Sequence, residues 1–168
     1  MSKIQIAVIG KSGKIAQEIE RMSEEVGREI ARKKAIMICG GRDGVMEAAA
    51  RGCVSNGGTV VCILPSLDGS DANPFCSIKI PTGMGFARNF LNITASNAVI
   101  VINGSFGTLS EFAYAQIWNV PTILLKGSGG LADYLINNPL PDSKLHIAGT
   151  PEEAVSLAIK LANETIKK

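Results

Sequence analysis

Aromatic side chains make up only 5% of this 168-residue chain, with one tryptophan, two tyrosines and five phenylalanines. A platform that stacks single-stranded bases needs several such rings, so that class of binder is excluded. Charge of one sign is lacking as well. The formal net charge is +2, and the 17 Lys and Arg residues are spread along the chain rather than massed into a basic stripe. No nucleic-acid partner is expected. Apolar runs stay far below the roughly 20 residues of a membrane span. Ile4 to Ile9 is too short for the core of an export signal and ends in Gly10. A soluble, cytoplasmic protein with no membrane partner is expected. The single histidine, His146, has no Cys or carboxylate cluster beside it in sequence, so it reads as a satisfied or surface residue and no metal site is expected. The four cysteines, Cys39, Cys53, Cys62 and Cys76, form no C-x-x-C pair. Three lie inside apolar segments, which predicts buried free thiols in a reducing compartment.

What remains is a chain that is 46% hydrophobic and 19% charged, a balance that argues for a packed core over disorder. Its length suits one domain spanning 1–168. Short β-branched runs alternate with helical patterns from end to end. Strands are predicted at 3–10, 36–41, 59–65, 77–81, 98–104, 120–127 and 144–149. Helices are predicted over 11–35, 44–58, 83–97, 107–119, 130–138 and 150–168, with an irregular loop at 66–76. In the first helix Ile15, Ile19, Met22, Val26 and Ile30 recur at spacings of three and four, one apolar stripe. Thr150-Pro151 followed by Glu152 and Glu153 marks the start of the last. Several strands are apolar on both faces, as in a parallel sheet covered by helices on each side. The fold class is therefore α/β: a single Rossmann-like, doubly wound parallel sheet.

In such sheets ligands bind beyond the carboxyl ends of the strands. The unusual residues fall there. The first strand ends in Gly10, Ser12 and Gly13; the second in Gly40, Gly41 and Gly44, with Met46 close behind. The apolar strand at 98–102 ends in Asn103, Gly104, Ser105, Phe106, Gly107 and Thr108. Glycine lets backbone N–H groups approach an anion, and the helix start behind each loop adds unpaired donors. One cleft lined by all three loops and holding a phosphate-bearing small molecule is expected. Neither the six-residue P-loop span nor G-x-G-x-x-G is present, so hydride transfer is not favoured. Thr108-Leu109-Ser110-Glu111 also fits a capping box, in which Thr108 would cap a helix and Glu111 reach back to it. From spacing alone, a capping and a functional Glu111 both stay open.

Three segments, "GGRDGVMEAAARGC", "GMGFARNF" and "NGSFGTLSEF", in this order and separation resemble the LOG-like superfamily, long labelled "lysine decarboxylase-like". The likeness runs over roughly residues 4–126 and leans toward the branch of molybdenum cofactor carrier proteins. It implies a phosphate-binding loop at Gly104, Gly107 and Thr108, and a second at Gly40, Gly41, Gly44 and Met46. It also implies Arg88 and Glu111 as the residues serving N-glycosidic cleavage of nucleoside 5′-monophosphates. No cofactor is implied for that hydrolysis. A non-catalytic carrier or sensor, with the molybdenum cofactor as cargo, is the alternative the resemblance offers, and a homo-oligomer is implied. Asn103 and Ser105 stand where the family has Pro and Gly, and Asn89 where it has Lys. If Ser105 needs a left-handed backbone, the loop is strained or has another shape. No pyridoxal-phosphate lysine is evident, so the decarboxylase label is not supported.

Overall fold

The computed structural model describes residues 3–166; the last two residues of the expected terminal helix lie outside the described residues. Seven strands are formed: β1 (Gln5–Gly10), β2 (Ile36–Cys39), β3 (Thr59–Leu64), β4 (Ile78–Pro81), β5 (Ala98–Ile102), β6 (Thr122–Leu125) and β7 (Leu145–Ala148). The helices are α1 (Gln17–Arg32), α2 (Val45–Val54), α3 (Asn89–Thr94), α4 (Phe106–Ile117), α5 (Gly130–Asn137) and α6 (Pro151–Ile166). All strand pairings are parallel, in the order β4-β3-β2-β1-β5-β6-β7. The chain winds outward from β1 to β4, returns to lay β5 beside β1, and winds outward the other way. The reversal puts Gly10 level with Ile102 at the carboxyl ends of two adjacent strands. That switch point is where ligands enter folds of this kind.

Alternation within the strands divides the core. Ile6 and Val8 of β1 pack with α1, α2 and α6 through Val26, Ile30, Ala49 and Ala158. Ala7 and Ile9 face the other way, with Ile93, Phe112, Ala132 and Leu135 of α3, α4 and α5. Both faces are thus covered, which is why β5 (AVIVI) carries no polar side chain and is buried throughout. Helices α1 and α2 approach closely because each contributes a glycine. A Cβ on Gly27 would lie 1.9 Å from the Ala49 carbonyl oxygen, and one on Gly52 1.9 Å from that of Glu24.

Several elements depart from expectation. Helix α1 starts at Gln17, not near residue 11, because Gly13 has φ +78° and its N–H is held by Asp43 Oδ1 at 2.9 Å. The segment 83–97 is no single helix. Gly83 and Gly85 are left-handed, so a 3-10 turn (Gly85–Arg88) precedes the short α3. The expectation of four free thiols is wrong for two of them: Cys62 in β3 and Cys76 ahead of β4 form a disulfide, with Cα atoms 5.7 Å apart. The irregular 66–76 loop returns the chain to its own strand because β4 pairs parallel to β3, and that brings a Cys 14 residues onward back alongside. Cys39 and Cys53 are free and buried. Among the described residues, no helix is long and apolar enough to cross a membrane.

Candidate functional site

Residues of the first and third glycine loops, with Arg42 of the second and Met46 behind it, converge on a cleft of about 260 Å³. Its walls include Gly10 and Ser12 after β1, Arg42 and Met46 after β2, and Ser105, Gly107 and Thr108 at the start of α4. Arg88 and Asn89 enter from the 3-10 turn and α3, and Glu111 from one turn into α4. The loops hold one another in place: Val45 N–H donates to the Lys11 carbonyl at 3.0 Å, and Asn73 N–H to that of Gly41 at 2.8 Å.

The third loop has a different shape from the one its glycines suggest. Ser105 is extended, with φ −144°, and serves as the N-cap of α4. Thr108 is therefore not the cap but the third helical residue, and its Oγ1 accepts the Ser105 N–H at 3.3 Å. The left-handed residues are Asn103 (φ 55°) and Gly104 (φ 113°). Asn103 carries that conformation because its side chain is tied on both sides: Nδ2 donates to the Ser128 carbonyl at 2.7 Å, and Oδ1 accepts the Gly104 N–H at 2.7 Å. Starting the helix at Phe106 sets its first turn, whose N–H groups have no intrahelical acceptor, in the wall of the cleft.

This start also frees Glu111 from capping. Its carboxylate is buried and accepts one hydrogen bond, from Asn92 Nδ2 at 2.7 Å. Burial pushes the Glu111 carboxyl up to about 7, against the opposing Asn92 hydrogen bond and the charge of Arg88. Arg88 is itself 5% exposed. Its Nη2 donates to the Gly40 carbonyl at 3.1 Å and its Nη1 to Asn89 Oδ1, while Nε has no partner. Desolvation pulls this guanidinium below its usual value. Gly40 makes the arrangement fit, since a Cβ there would lie 2.6 Å from Arg88 Nη2. Asn89 closes the frame, donating to Ser110 Oγ at 2.8 Å and to the Gly107 carbonyl at 3.3 Å. A buried guanidinium with a spare donor, the start of α4 and a near-neutral carboxyl suit an anion with a bond to be cleaved beside it.

Not every expected residue faces the cleft. Gly13 and Gly44 lie on an adjoining depression with Lys14, Asp43 and Arg51. Gly41 is turned against Cys62 and Leu64, Gly40 lies behind Arg88, and Gly104 is folded under Thr108. Their roles are in shaping the loops. His146 lines a separate cavity of about 600 Å³ with Gln116, Asn119 and Lys144, away from Glu111. The larger cavity has no buried charged residue, so the smaller is the chemically organised one. Arg42, Phe86 and Asn92 were not singled out from sequence. Arg42 had a signal, lying inside the "GGRDG" turn itself. Asn92 had none, as it meets Glu111 only through the packing of α3 on α4.

The all-parallel switch-point sheet, with its cleft beyond β1 and β5, defines a Rossmann-like protein. The chain belongs to the SLOG cluster4 family, whose model matches residues 3–155. It is similar in structure to a molybdenum cofactor binding protein from Rippkaea orientalis, with a TM-score of 0.86 and 32% identity over 100% of this chain and 99% of that one. A molybdenum cofactor carrier protein from Chlamydomonas reinhardtii superposes with a TM-score of 0.82 and 29% identity, covering 96% of this chain and 99% of that one. In sequence the chain is 29% identical over 130 residues to a cytokinin riboside 5′-monophosphate phosphoribohydrolase of Rhodococcoides fascians, spanning 71% of this chain and 63% of that protein.

Proposed function

We propose that the protein binds a phosphate-bearing small molecule of nucleotide type at the carboxyl edge of its sheet and hydrolyses the N-glycosidic bond of a nucleoside 5′-monophosphate there. The observation that carries this reading is the spare donor of buried Arg88 set in one cleft with the start of α4 and a Glu111 poised near neutrality. The phosphate would rest on the first-turn amides of α4 and on Ser12, Ser105 and Thr108. Arg42, which lines the same cleft, would supply the cation that Asn89 does not. An apolar shelf formed by Phe106, Leu109, Leu131 and Tyr134 adjoins the cleft at Ser105 and Phe106 and suits a flat base.

The step would run as follows in atoms. Glu111, as carboxylate, takes a proton from a water whose oxygen bonds to C1′ of the ribose. The electron pair of the C1′–N bond leaves with the base, which takes up a proton from solvent, and Glu111 later returns its own proton to solvent. Positive charge building on the sugar is stabilised by the carboxylate while it remains ionised.

A second reading is favoured by one observation. Asn89 is fully engaged with Gly107 and Ser110, so the family's lysine has no counterpart at that point. Together with the likeness to proteins named for the molybdenum cofactor, this supports a carrier in which the same cradle holds the phosphate of a pterin cargo without turnover. Calorimetry with a panel of nucleoside 5′-monophosphates, and with molybdopterin, tests binding; chromatographic detection of free base tests hydrolysis. Binding with base release supports the enzyme, and binding without it leaves the carrier. If no phosphate-bearing compound binds, or if Gly107→Val binds as well as wild type, the cradle is wrong.

A homo-oligomer, most simply a dimer, belongs to the same proposal. Helices α3 and α4 carry only one charged residue, the buried Glu111, and leave Ile117 68% and Trp118 58% exposed. Phe90 packs edge-on against Tyr114 and Trp118, with centroids 5.4 and 6.0 Å away. Light scattering at micromolar concentration that returns the monomer mass would remove this part of the proposal.

A further inference from the structure

Neither the glycine loops nor the family resemblance pointed to Asn92, yet it is wholly buried and bonded to Glu111. Its other amide atom, Oδ1, is buried without a hydrogen-bond partner. A buried carbonyl oxygen left unpaired is unfavourable, and an apolar side chain of this size would avoid it. The chemistry of the neighbour accounts for it. An ionised carboxylate only accepts hydrogen bonds, whereas a neutral carboxylic acid also donates one. Asparagine offers a donor and an acceptor at nearly the same place, exchanged by rotating the amide.

We propose that Asn92 is a positioning residue for Glu111, whose amide serves the carboxyl in both of its protonation states. With Glu111 ionised, Nδ2–H donates to Oε1, as seen. With Glu111 protonated, the amide turns over and Oδ1 accepts the acid proton. One amide atom stays unpaired in either state, so neither orientation is favoured by its surroundings. The carboxyl changes protonation state without losing its partner or moving from the cleft. The charged and titratable groups around it are Arg88 from the 3-10 turn and the Cys39 thiol at the end of β2. Burial pushes that thiol up to about 12, so it stays neutral wherever Glu111 titrates. Arg88 remains a cation throughout. Asn92 is thus the partner whose hydrogen bond can change with the proton, and burial of the pair places that change near pH 7.

The role rests on the anion-site reading for its purpose but not for its measurement, which needs no ligand. Full-length protein carrying ¹³C-carboxyl glutamate is titrated by NMR, and the Glu111 signal is assigned by its loss in Glu111→Gln. Asn92→Leu, which keeps the branched shape and removes the amide, should raise the Glu111 midpoint by about one pH unit, the amount by which a hydrogen bond to the charged carboxylate exceeds one to the neutral acid. The ¹⁵N–¹H signals of the Asn92 side chain in wild type should shift through the same midpoint as Glu111. An unchanged midpoint in Asn92→Leu overturns the role, and so do Asn92 amide signals that stay constant while Glu111 titrates. Should Asn92→Leu fail to fold, the wild-type amide titration decides alone. Loss of phosphate binding with the coupled titration intact would sink the anion site and leave Asn92 in place; the reverse result would sink Asn92 alone.

Discussion

Replacing Glu111 by Gln should make the protein more stable in alkaline solution, although the residue lines the cleft. In the folded chain the carboxyl is held near 7, against an ordinary 4.5, because burial disfavours its charge. Its contribution is fully present below pH 4.5, where the carboxyl is protonated in folded and unfolded chains alike. Between pH 4.5 and 7 the unfolded chain ionises first, and stability falls as pH rises until the folded carboxyl has also titrated. At about 1.4 kcal/mol per pH unit, the loss above pH 7 comes to about 3 kcal/mol. A glutamine has nothing to ionise, and its side-chain oxygen still accepts the Asn92 bond. The difference in stability between variant and wild type should therefore shift by about 3 kcal/mol in the variant's favour between pH 4.5 and 8. For a domain of this size that is about 6 to 12 °C in melting temperature. Taking the difference between the two proteins cancels every other titrating group. Urea unfolding of both proteins at half-unit steps from pH 4.5 to 8.5 measures it. A difference that stays flat across the range, or moves in favour of wild type, refutes a buried Glu111 held near neutrality.

Gly40→Ala should weaken binding of nucleoside monophosphates about tenfold or more, because the added Cβ, 2.6 Å from Arg88 Nη2, displaces a charged donor; calorimetry reads it, and an unchanged affinity would free Arg88 of its role. Gly52→Ala sets a Cβ 1.9 Å from the Glu24 carbonyl and should cost about 2 kcal/mol or more, seen as a lower urea midpoint with ligand affinity at saturation unchanged. Thiol titration of the unreduced, denatured chain should find two thiols, Cys39 and Cys53, and four after reduction. Opening the Cys62–Cys76 bridge should lower stability by about 3 kcal/mol, as expected for a closed loop of this length, and four thiols before reduction would dismiss the bridge.

How much of this could be read from the sequence depended on whether the determinant was local. The alternation of buried strands and amphipathic helices is local, so β1, β5 and the stripe of α1 stood out, with Ile19, Val26 and Ile30 where the periodicity placed them. Element starts were less legible. The spacing at Thr108 and Glu111 satisfied a capping box, but Ser105 satisfied another three residues earlier, with Thr108 as its third residue. What decides between them is the tie of Asn103 to Ser128, 25 residues away, which sets the direction in which the chain enters α4. The disulfide was hidden for the same reason: a parallel sheet was expected, but nothing between Cys62 and Cys76 shows that β4 takes the place beside β3 in the register that brings the two cysteines together. The pairing of Asn92 with Glu111 joins two helices through a strand and had no trace in spacing.

That same tie would let the proposed anion cradle form without a glycine at residue 105. The substitution at Ser105 would be a defect if that residue had to be left-handed. Instead the left-handed turn sits one residue earlier, on Asn103 and Gly104. Asparagine tolerates that conformation better than other side chains, and here its amide is anchored at both ends. Ser105 is then released to cap α4 and to present its hydroxyl at the cleft. The lost lysine is offset in a similar way. Asn89 spends its amide bracing Gly107 and Ser110, and Arg42 brings a cation from the neighbouring loop. Two cations, Arg42 and Arg88, thus line the cleft without a lysine at residue 89. A ligand seated here would meet cations from β2 and from the 3-10 turn on one side, and the α4 amides on the other. In the proposed binding mode such an arrangement would hold a phosphate and leave the side facing Glu111 to whatever the phosphate carries. Binding and cleavage then depend on separate parts of the cleft, so a protein with this loop can retain the first without the second.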